Sequence, residues 1–380
     1  MPADGEIEIK RGLNGVYFDS TKASFIDGEE GKLLYRGYNI HDLAENSTFE
    51  EVVYLLIYGK LPNRKELDDI TAEIQASRDI PDYIYDIIRM VKDSHPMDVL
   101  RTAISALSAS DPDAEDLSPE AITRIGLRLT AQAPTIVCAH HRISEGLSPV
   151  APDSTLNHAS NFLYMLKGEI PSDDEAKTLD VDFVLHAEHG ANASAFAARV
   201  AAGTQTDFYS VVVAAISTLK GPSHGGAAES VMNVAIEIGD PENAREFAEK
   251  TLGSGGRIMG FGHRVYKTAD PRARHLRERS QRLGEQYGDP KWFQILSALD
   301  AEMEPYQKRG IWANVDFFAG SIYHLFGIPK NLFISIFALG RIPGWTLQAL
   351  EQYQNNILIR PLLNYTGEKD LKYIPIDERE

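Results

Sequence analysis

The chain has 380 residues, with 38 Lys/Arg against 55 Asp/Glu, 43% hydrophobic and 24% charged residues, and a single cysteine. That length buries a sizeable core and favours two domains, and the composition excludes a disordered chain. A net charge of −17 argues against a general nucleic-acid or membrane surface, and the lone Cys138 excludes an intrachain disulfide framework and fits a reducing compartment.

The N-terminus, Met1-Pro-Ala-Asp-Gly-Glu-Ile-Glu-Ile-Lys10, is charged and lacks an apolar core, so no signal peptide is expected. Strand-like alternation is confined to Ala23-Ser-Phe-Ile26 and Lys32-Leu-Leu-Tyr35, which predict a hairpin around Asp27-Gly-Glu-Glu-Gly31. Helical grammar then takes over. Ser47-Thr-Phe-Glu50 reads as a capping box for a helix through Val52, Val53, Leu55 and Leu56 that stops at Gly59, ahead of Pro62. Asn63 to Glu66, Ser118-Pro119, Ser172 to Glu175 and Asp240-Pro-Glu242 mark further helix starts. Thr135-Ile-Val-Cys-Ala139 reads as packed helix, which makes Cys138 a buried structural thiol. The acidic stretch Asp111-Pro-Asp-Ala-Glu-Asp116 reads as a surface loop.

An apolar helix ends near Gly221-Pro222, and short polar, cationic helices follow until about Gly327-Ile-Pro329. This places a small helical domain at 222–328 inside a large one made of 1–221 and 329–380, which ends in an arm. The longest apolar runs fall well short of the ~20 residues that span a bilayer. A mostly α-helical, soluble, cytoplasmic protein is expected.

Four stretches set polar groups beside glycine or small residues. In His186-Ala-Glu-His189-Gly-Ala-Asn192 the two histidines are three apart, on one helical face, with Glu188 between them. A metal site, a polar binding site and a plain helix end are all open, although zinc-protease histidines are four apart and no third ligand is evident. Gly221-Pro-Ser-His224-Gly-Gly226 holds a histidine at a helix break, either for a ligand or as a simple turn. Residues 257–282 carry eight Lys/Arg against two acids around Gly260-Phe-Gly-His263-Arg-Val-Tyr-Lys267 and Asp270-Pro-Arg272, which suits an anion. These glycines could present backbone N–H groups to phosphate, but no strand precedes them and no Gly-Lys-Ser/Thr follows, so neither a Rossmann nor a Walker reading survives. Trp312-Ala-Asn314-Val-Asp316-Phe-Phe318 sets a carboxylate among aromatics, as a general base or as a helix cap.

Taken in order, His-x-x-His-Gly-x-Asn, Gly-Pro-x-His-Gly-Gly, Gly-x-Gly-His-Arg-Val-Tyr-Lys with Asp-Pro-Arg, and Asn-Val-Asp-Phe resemble one family, the citrate synthases, including 2-methylcitrate synthases. The likeness runs from Ser24-Phe-Ile-Asp-Gly28 to Leu358-Ile-Arg360-Pro361. It implies condensation of acetyl-CoA with oxaloacetate, followed by thioester hydrolysis. Asp316 would be the base, His224 the donor to the enolate oxygen, and His263 the group that polarises and protonates the ketone. His189, Arg272, Arg341 and Arg360 would hold oxaloacetate, with Arg360 reaching a neighbouring subunit's site in a homodimer. Coenzyme A, a co-substrate rather than a bound cofactor, would lie along Met259, Gly260 and Gly262, with Arg264 and Lys267 near its phosphates and Asn314 near the acyl end.

Gly190 and Ala313 depart from the acid and proline that the family often carries there. The chain starts close to the hairpin, so a dimer without NADH regulation is expected. The competing expectations are a 2-methylcitrate synthase acting on propionyl-CoA, a metal-dependent hydrolase built on His186, Glu188 and His189, and a non-catalytic helical binding protein.

Overall fold

The hairpin expected near the N-terminus forms in the computed structural model, which describes residues 8–379, so most of the charged N-terminal stretch lies outside the described residues. Strands β1 (Ser24–Asp27) and β2 (Lys32–Tyr35) pair antiparallel, with Ser24 opposite Tyr35 and Asp27 opposite Lys32. Asp27 Oδ1 closes the turn by accepting from the N–H groups of Glu29 and Glu30. A third strand, β3 (Tyr38–Asn39), joins β2 and is too short for alternation to reveal.

Helices α1 (Ile40–Asn46) and α2 (Phe49–Tyr58) follow. The capping box of α2 lies one residue later than the sequence suggests: Thr48 accepts from the Glu51 N–H, and Glu51 reaches back to the Thr48 N–H. Ser47 and Thr48 are equally good caps by type. Burial decides the register, because Glu50 turns inward and accepts from the His158 N–H at 2.8 Å. Helix α3 (Arg64–Ala76) opens with the Asn63–Glu66 box, as expected.

Helices α4 (Asp82–Met90) and α5 (Pro96–Leu107) lead into the acidic loop, which departs from expectation at Asp111. The Asp111 carboxylate is buried, pairing with Arg128 and accepting from the Tyr209 hydroxyl at 2.6 Å. Ser118 then caps α6 (Pro119–Ser144), in which Cys138 is buried and donates to the Phe162 carbonyl. Next come α7 (His158–Lys167), α8 (Asp173–His186) with its Ser172–Glu175 box, α9 (Ala193–Gly203) and α10 (Phe208–Leu219).

Beyond Gly221-Pro222, α11 (Ala227–Ile238), α12 (Ala244–Gly253), α13 (Ala273–Gln286), α14 (Lys291–Gln307) and α15 (Asp316–Leu325) pack on one another. The chain then returns through α16 (Phe333–Gln354), which packs on α6, α8 and α9. Helices α6 and α16 are apolar and buried on all sides along much of their length, as the central layer of a helical core must be. Each fully buried Leu, Ile or Phe there contributes about 1.5–3 kcal/mol.

After Asn355 the chain runs out as an exposed arm, with Leu362 and Leu363 84% and 97% accessible. Among the described residues, no helix is long and apolar enough to cross a membrane.

Candidate active site

The site begins where α8 stops. His186 is its last residue, and the chain turns away at Ala187, so His186 and His189 do not share a helical face as the spacing suggested. The turn is pressed from behind by α16: a Cβ on Gly344 would lie 2.1 Å from the Ala187 carbonyl oxygen. The two rings consequently face different partners. His186 Nδ1 lies 2.9 Å from the Asp182 carbonyl and 3.3 Å from Asp182 Oδ1, and its Nε2 lies 3.9 Å from Asp316 Oδ1. His189 Nε2 lies 3.0 Å from the Tyr266 hydroxyl, with its ring 5.0 Å from that of His263.

Glu188, between them, is fully buried. Its Oε1 accepts from the Gly190 N–H, the Gln348 amide and the Ser24 hydroxyl. Burial pushes this carboxyl up to about 7, against the pull of Arg341. Among the described residues no group of three or more His, Cys, Asp or Glu could hold a metal ion, so the hydrolase reading loses its donor set.

His224 and His263 are each fixed in one tautomer by backbone donors. The Ser194 N–H, at the start of α9, donates to His224 Nε2 at 3.2 Å, and the Ser194 hydroxyl lies 2.9 Å from the same nitrogen. That nitrogen must therefore carry a lone pair, and the proton sits on Nδ1. For His263 the arrangement is reversed. The N–H groups of Val265 and Tyr266 both donate to its Nδ1, at 3.0 and 3.1 Å, which leaves the proton on Nε2. Burial lowers both rings to about 4, reinforced by Arg341 for His224 and by Arg272 for His263. Each is a neutral imidazole with one N–H to offer. His189 is held neutral too, by burial and then by Arg272 and His263.

The arginines are prepared differently. Arg272 is buried and clamped by Asp270, its Nε to Oδ1 at 3.0 Å and its Nη2 to Oδ2 at 2.8 Å. Burial works against its charge, but Asp270 outweighs that and holds the guanidinium well above its ordinary value. Arg341 is equally buried; its Nε donates to the His186 carbonyl, and its Nη1 has no partner among the described residues. Burial lowers it to about 10. A buried cation with an unused donor suits an incoming carboxylate. Arg360 lies on the exposed arm, and among the described residues no hydrogen bond or ion pair links it to these groups.

Asp316 opens α15 and is 8% accessible. Its carboxylate makes no cap bond, so the helix-cap alternative fails; Asn314 Oδ1 accepts from the Asp316 N–H instead. The glycine segment runs beside it, with Met259 half-buried. Gly260 adopts φ 82°, and a Cβ there would lie 2.6 Å from the Phe317 ring. Its carbonyl accepts from the Asn314 N–H, and Phe261 bridges to Ala313. The Gly262 N–H donates to the Trp312 carbonyl at 2.8 Å and is therefore not offered to phosphate, contrary to the reading of these glycines as phosphate donors. Arg264 and Lys267 are exposed.

Residues 222–328 meet the rest of the chain across several polar contacts. The Gly28 carbonyl at the hairpin tip accepts from the Lys267 N–H. Arg274 pairs with Glu45, and Arg282 pairs with Asp174, which gives two arginines of the cationic stretch a bridging role. His41 on α1 faces His275 on α13.

Supporting residues were the ones that sequence reading missed. Asp182, Ser194, Tyr266 and Asp270 all position a singled-out side chain; Tyr266 and Asp270 lie inside the motifs quoted above, but without a role of their own.

Comparisons with known proteins agree with this geometry. The family description "Citrate synthase, C-terminal domain" matches residues 12–362. A citrate synthase of Haloferax volcanii is 46% identical, over 98% of this chain and 99% of that one. A 2-methylcitrate synthase of Mycobacterium tuberculosis is 43% identical, over 96% and 92%. The solved citrate synthase of Thermoplasma acidophilum, in ternary complex with carboxymethyl coenzyme A and oxaloacetate, superposes with a TM-score of 0.94 at 32% identity, covering 98% of this chain and all of that one. Ordered motifs, a shared helical fold and near-full-length identity converge: this chain belongs to the citrate synthase family.

Proposed function

We propose that Asp316, His224 and His263 carry out a Claisen-type condensation. The protein is a citrate-synthase-type acyltransferase: it joins the methyl carbon of acetyl-CoA to the ketone of oxaloacetate and hydrolyses the resulting thioester to citrate and CoA. Coenzyme A enters as a co-substrate, and the reaction calls for no resident cofactor.

Opposed tautomers are the observation that carries this reading. Enolate formation needs a neutral donor at the thioester oxygen, and ketone activation needs a second donor. His224 Nδ1–H and His263 Nε2–H meet those needs, because backbone donors fix the other nitrogen of each ring. Asp316 acts electrostatically on both rings and on Arg341, which supports a common site. Asp316 removes a methyl proton while His224 stabilises the enolate oxygen. The enolate carbon attacks the ketone, and His263 gives its Nε2 proton to the alkoxide. Water then cleaves the thioester.

Arg272 and Arg341 hold the oxaloacetate carboxylates, with His189 alongside and Arg360 supplied by a second copy of the chain. The exposed apolar arm that carries Arg360 supports this homodimer. Coenzyme A lies along Met259, Gly260 and Gly262 by close backbone approach, Asn314 sits near the acyl end, and Arg264 and Lys267 meet the phosphates. Residues 222–328 close as a small domain over the remainder, excluding water before proton transfer. We place the enzyme in the cytoplasm, as its acidic composition and single buried thiol suggest.

Thiol release with oxaloacetate tests the activity. Release should be faster with acetyl-CoA than with propionyl-CoA. Preference for propionyl-CoA would favour the 2-methylcitrate reaction, and no release with either would overturn the proposal.

A further inference from the structure

His186 has no part in the scheme above, yet it is the titratable side chain placed against the base. It is 1% accessible, and its Nδ1 faces only acceptors, the Asp182 carbonyl and Asp182 Oδ1. Nδ1 therefore carries a proton. Asp182 is itself anchored, since the Tyr323 hydroxyl donates to its Oδ2 at 2.6 Å. On the other side, Nε2 has no hydrogen-bond partner among the described residues and lies 3.9 Å from Asp316 Oδ1. A movement of about 1 Å would turn that gap into a hydrogen bond.

We propose that His186 is a positioning residue for Asp316, its Nε2–H orienting one carboxylate oxygen so that the other faces the substrate methyl group. Asp182, His186 and Asp316 then form a buried relay from α8 to α15. The inference rests on the condensation reading and deepens it.

Charge placement supports the relay. Burial alone would keep His186 neutral, but Asp182 and then Asp316 outweigh it and raise the ring to about 9. The other groups facing His186 do not reverse this. The Tyr323 hydroxyl is tied to Asp182, Phe337 offers an apolar ring at 4.6 Å, and Arg341 contacts only the His186 carbonyl. An imidazolium at residue 186 presents an Nε2–H toward Asp316 Oδ1, the donor that the relay requires. Because Arg341 holds the backbone of residue 186, changing the side chain leaves the arginine's contact in place.

His186→Gln separates this role from a structural one. With an active parent enzyme as reference, kcat should fall on the order of 10²-fold. The deuterium isotope effect with methyl-deuterated acetyl-CoA should rise, and oxaloacetate affinity by calorimetry should change less than about threefold. Asp182→Asn keeps an acceptor for Tyr323 but removes the charge, and serves if the glutamine variant fails to fold. It should lower the affinity of His186 for its second proton and move the basic limb of the kcat profile down by on the order of one pH unit. An unchanged kcat and basic limb, or losses of turnover and oxaloacetate binding in equal proportion, would overturn the inference. An inactive parent would instead overturn the proposed function.

Discussion

His41 Nδ1 lies 2.8 Å from His275 Nε2, so a residue of α1 and a residue of α13 share one proton between two rings. Burial lowers both, and for His275 the further effects of Arg274 and His41 bring it to about 4; Glu45 and Asp42 oppose the shift at His41. A depressed histidine stabilises the fold above its unfolded value of ~6.5 and loses that contribution as pH falls toward the folded value. The thermal midpoint should therefore drop between about pH 6.5 and 4. His275→Gln, which hydrogen-bonds but does not titrate, should flatten part of that drop. Calorimetry of both proteins across the window checks this, and parallel curves would count against it.

Asp316→Asn removes the proposed base while keeping shape. Oxaloacetate binding should stay within about threefold, because the carboxylates are held by other residues. Thiol release should fall by on the order of 10²–10⁴. Calorimetric titration with oxaloacetate beside the thiol assay decides it; equal losses in both would remove Asp316 from the role of base.

Asp270→Asn strips the charge that balances a fully buried guanidinium. Breaking one partner of such a pair costs about 3 kcal/mol, so denaturant unfolding should show a loss near that size. A loosened Arg272 should also weaken the proposed charge-assisted contact to oxaloacetate, and the oxaloacetate KM should rise on the order of tenfold. A stable variant with an unchanged KM would show that the clamp contributes little.

Two glycines predict opposite outcomes. Gly344→Ala forces a Cβ to within 2.1 Å of the Ala187 carbonyl and should destabilise by about 1–3 kcal/mol while disturbing the His186–His189 turn. Gly253→Ala, at the end of α12 with nothing within 4 Å of its Cβ, should be stabilising by up to about 1 kcal/mol. Unfolding midpoints of the two variants measure both.

What was legible in the chain was local. Capping boxes at Asn63 and Ser172 and the helix start at Ser118 could be read because a cap contacts residues three positions on. The α2 cap slipped by one because Glu50 pairs with the distant His158 N–H, which no local pattern records. The catalytic-type residues were legible as ordered motifs. Their arrangement was not: α8 stops at His186 because α16 presses on Ala187, and the partners of His186, His224 and Arg341 come from other helices. Asp111 was misplaced for the same reason, since Arg128 and Tyr209 draw it inward.

The bridge between Phe261 and Ala313, braced by the Gly262–Trp312 and Asn314–Gly260 bonds, makes one rigid ledge of two segments far apart in the chain. One rim of that ledge carries Gly260 and Gly262, where we place coenzyme A, and the other leads directly into Asp316. On the proposed binding mode, the distance from thioester to Asp316 is thus a fixed dimension of the scaffold. Engineering this enzyme for longer acyl chains calls for carving the opposite wall, because any shift of the ledge carries the base along with it.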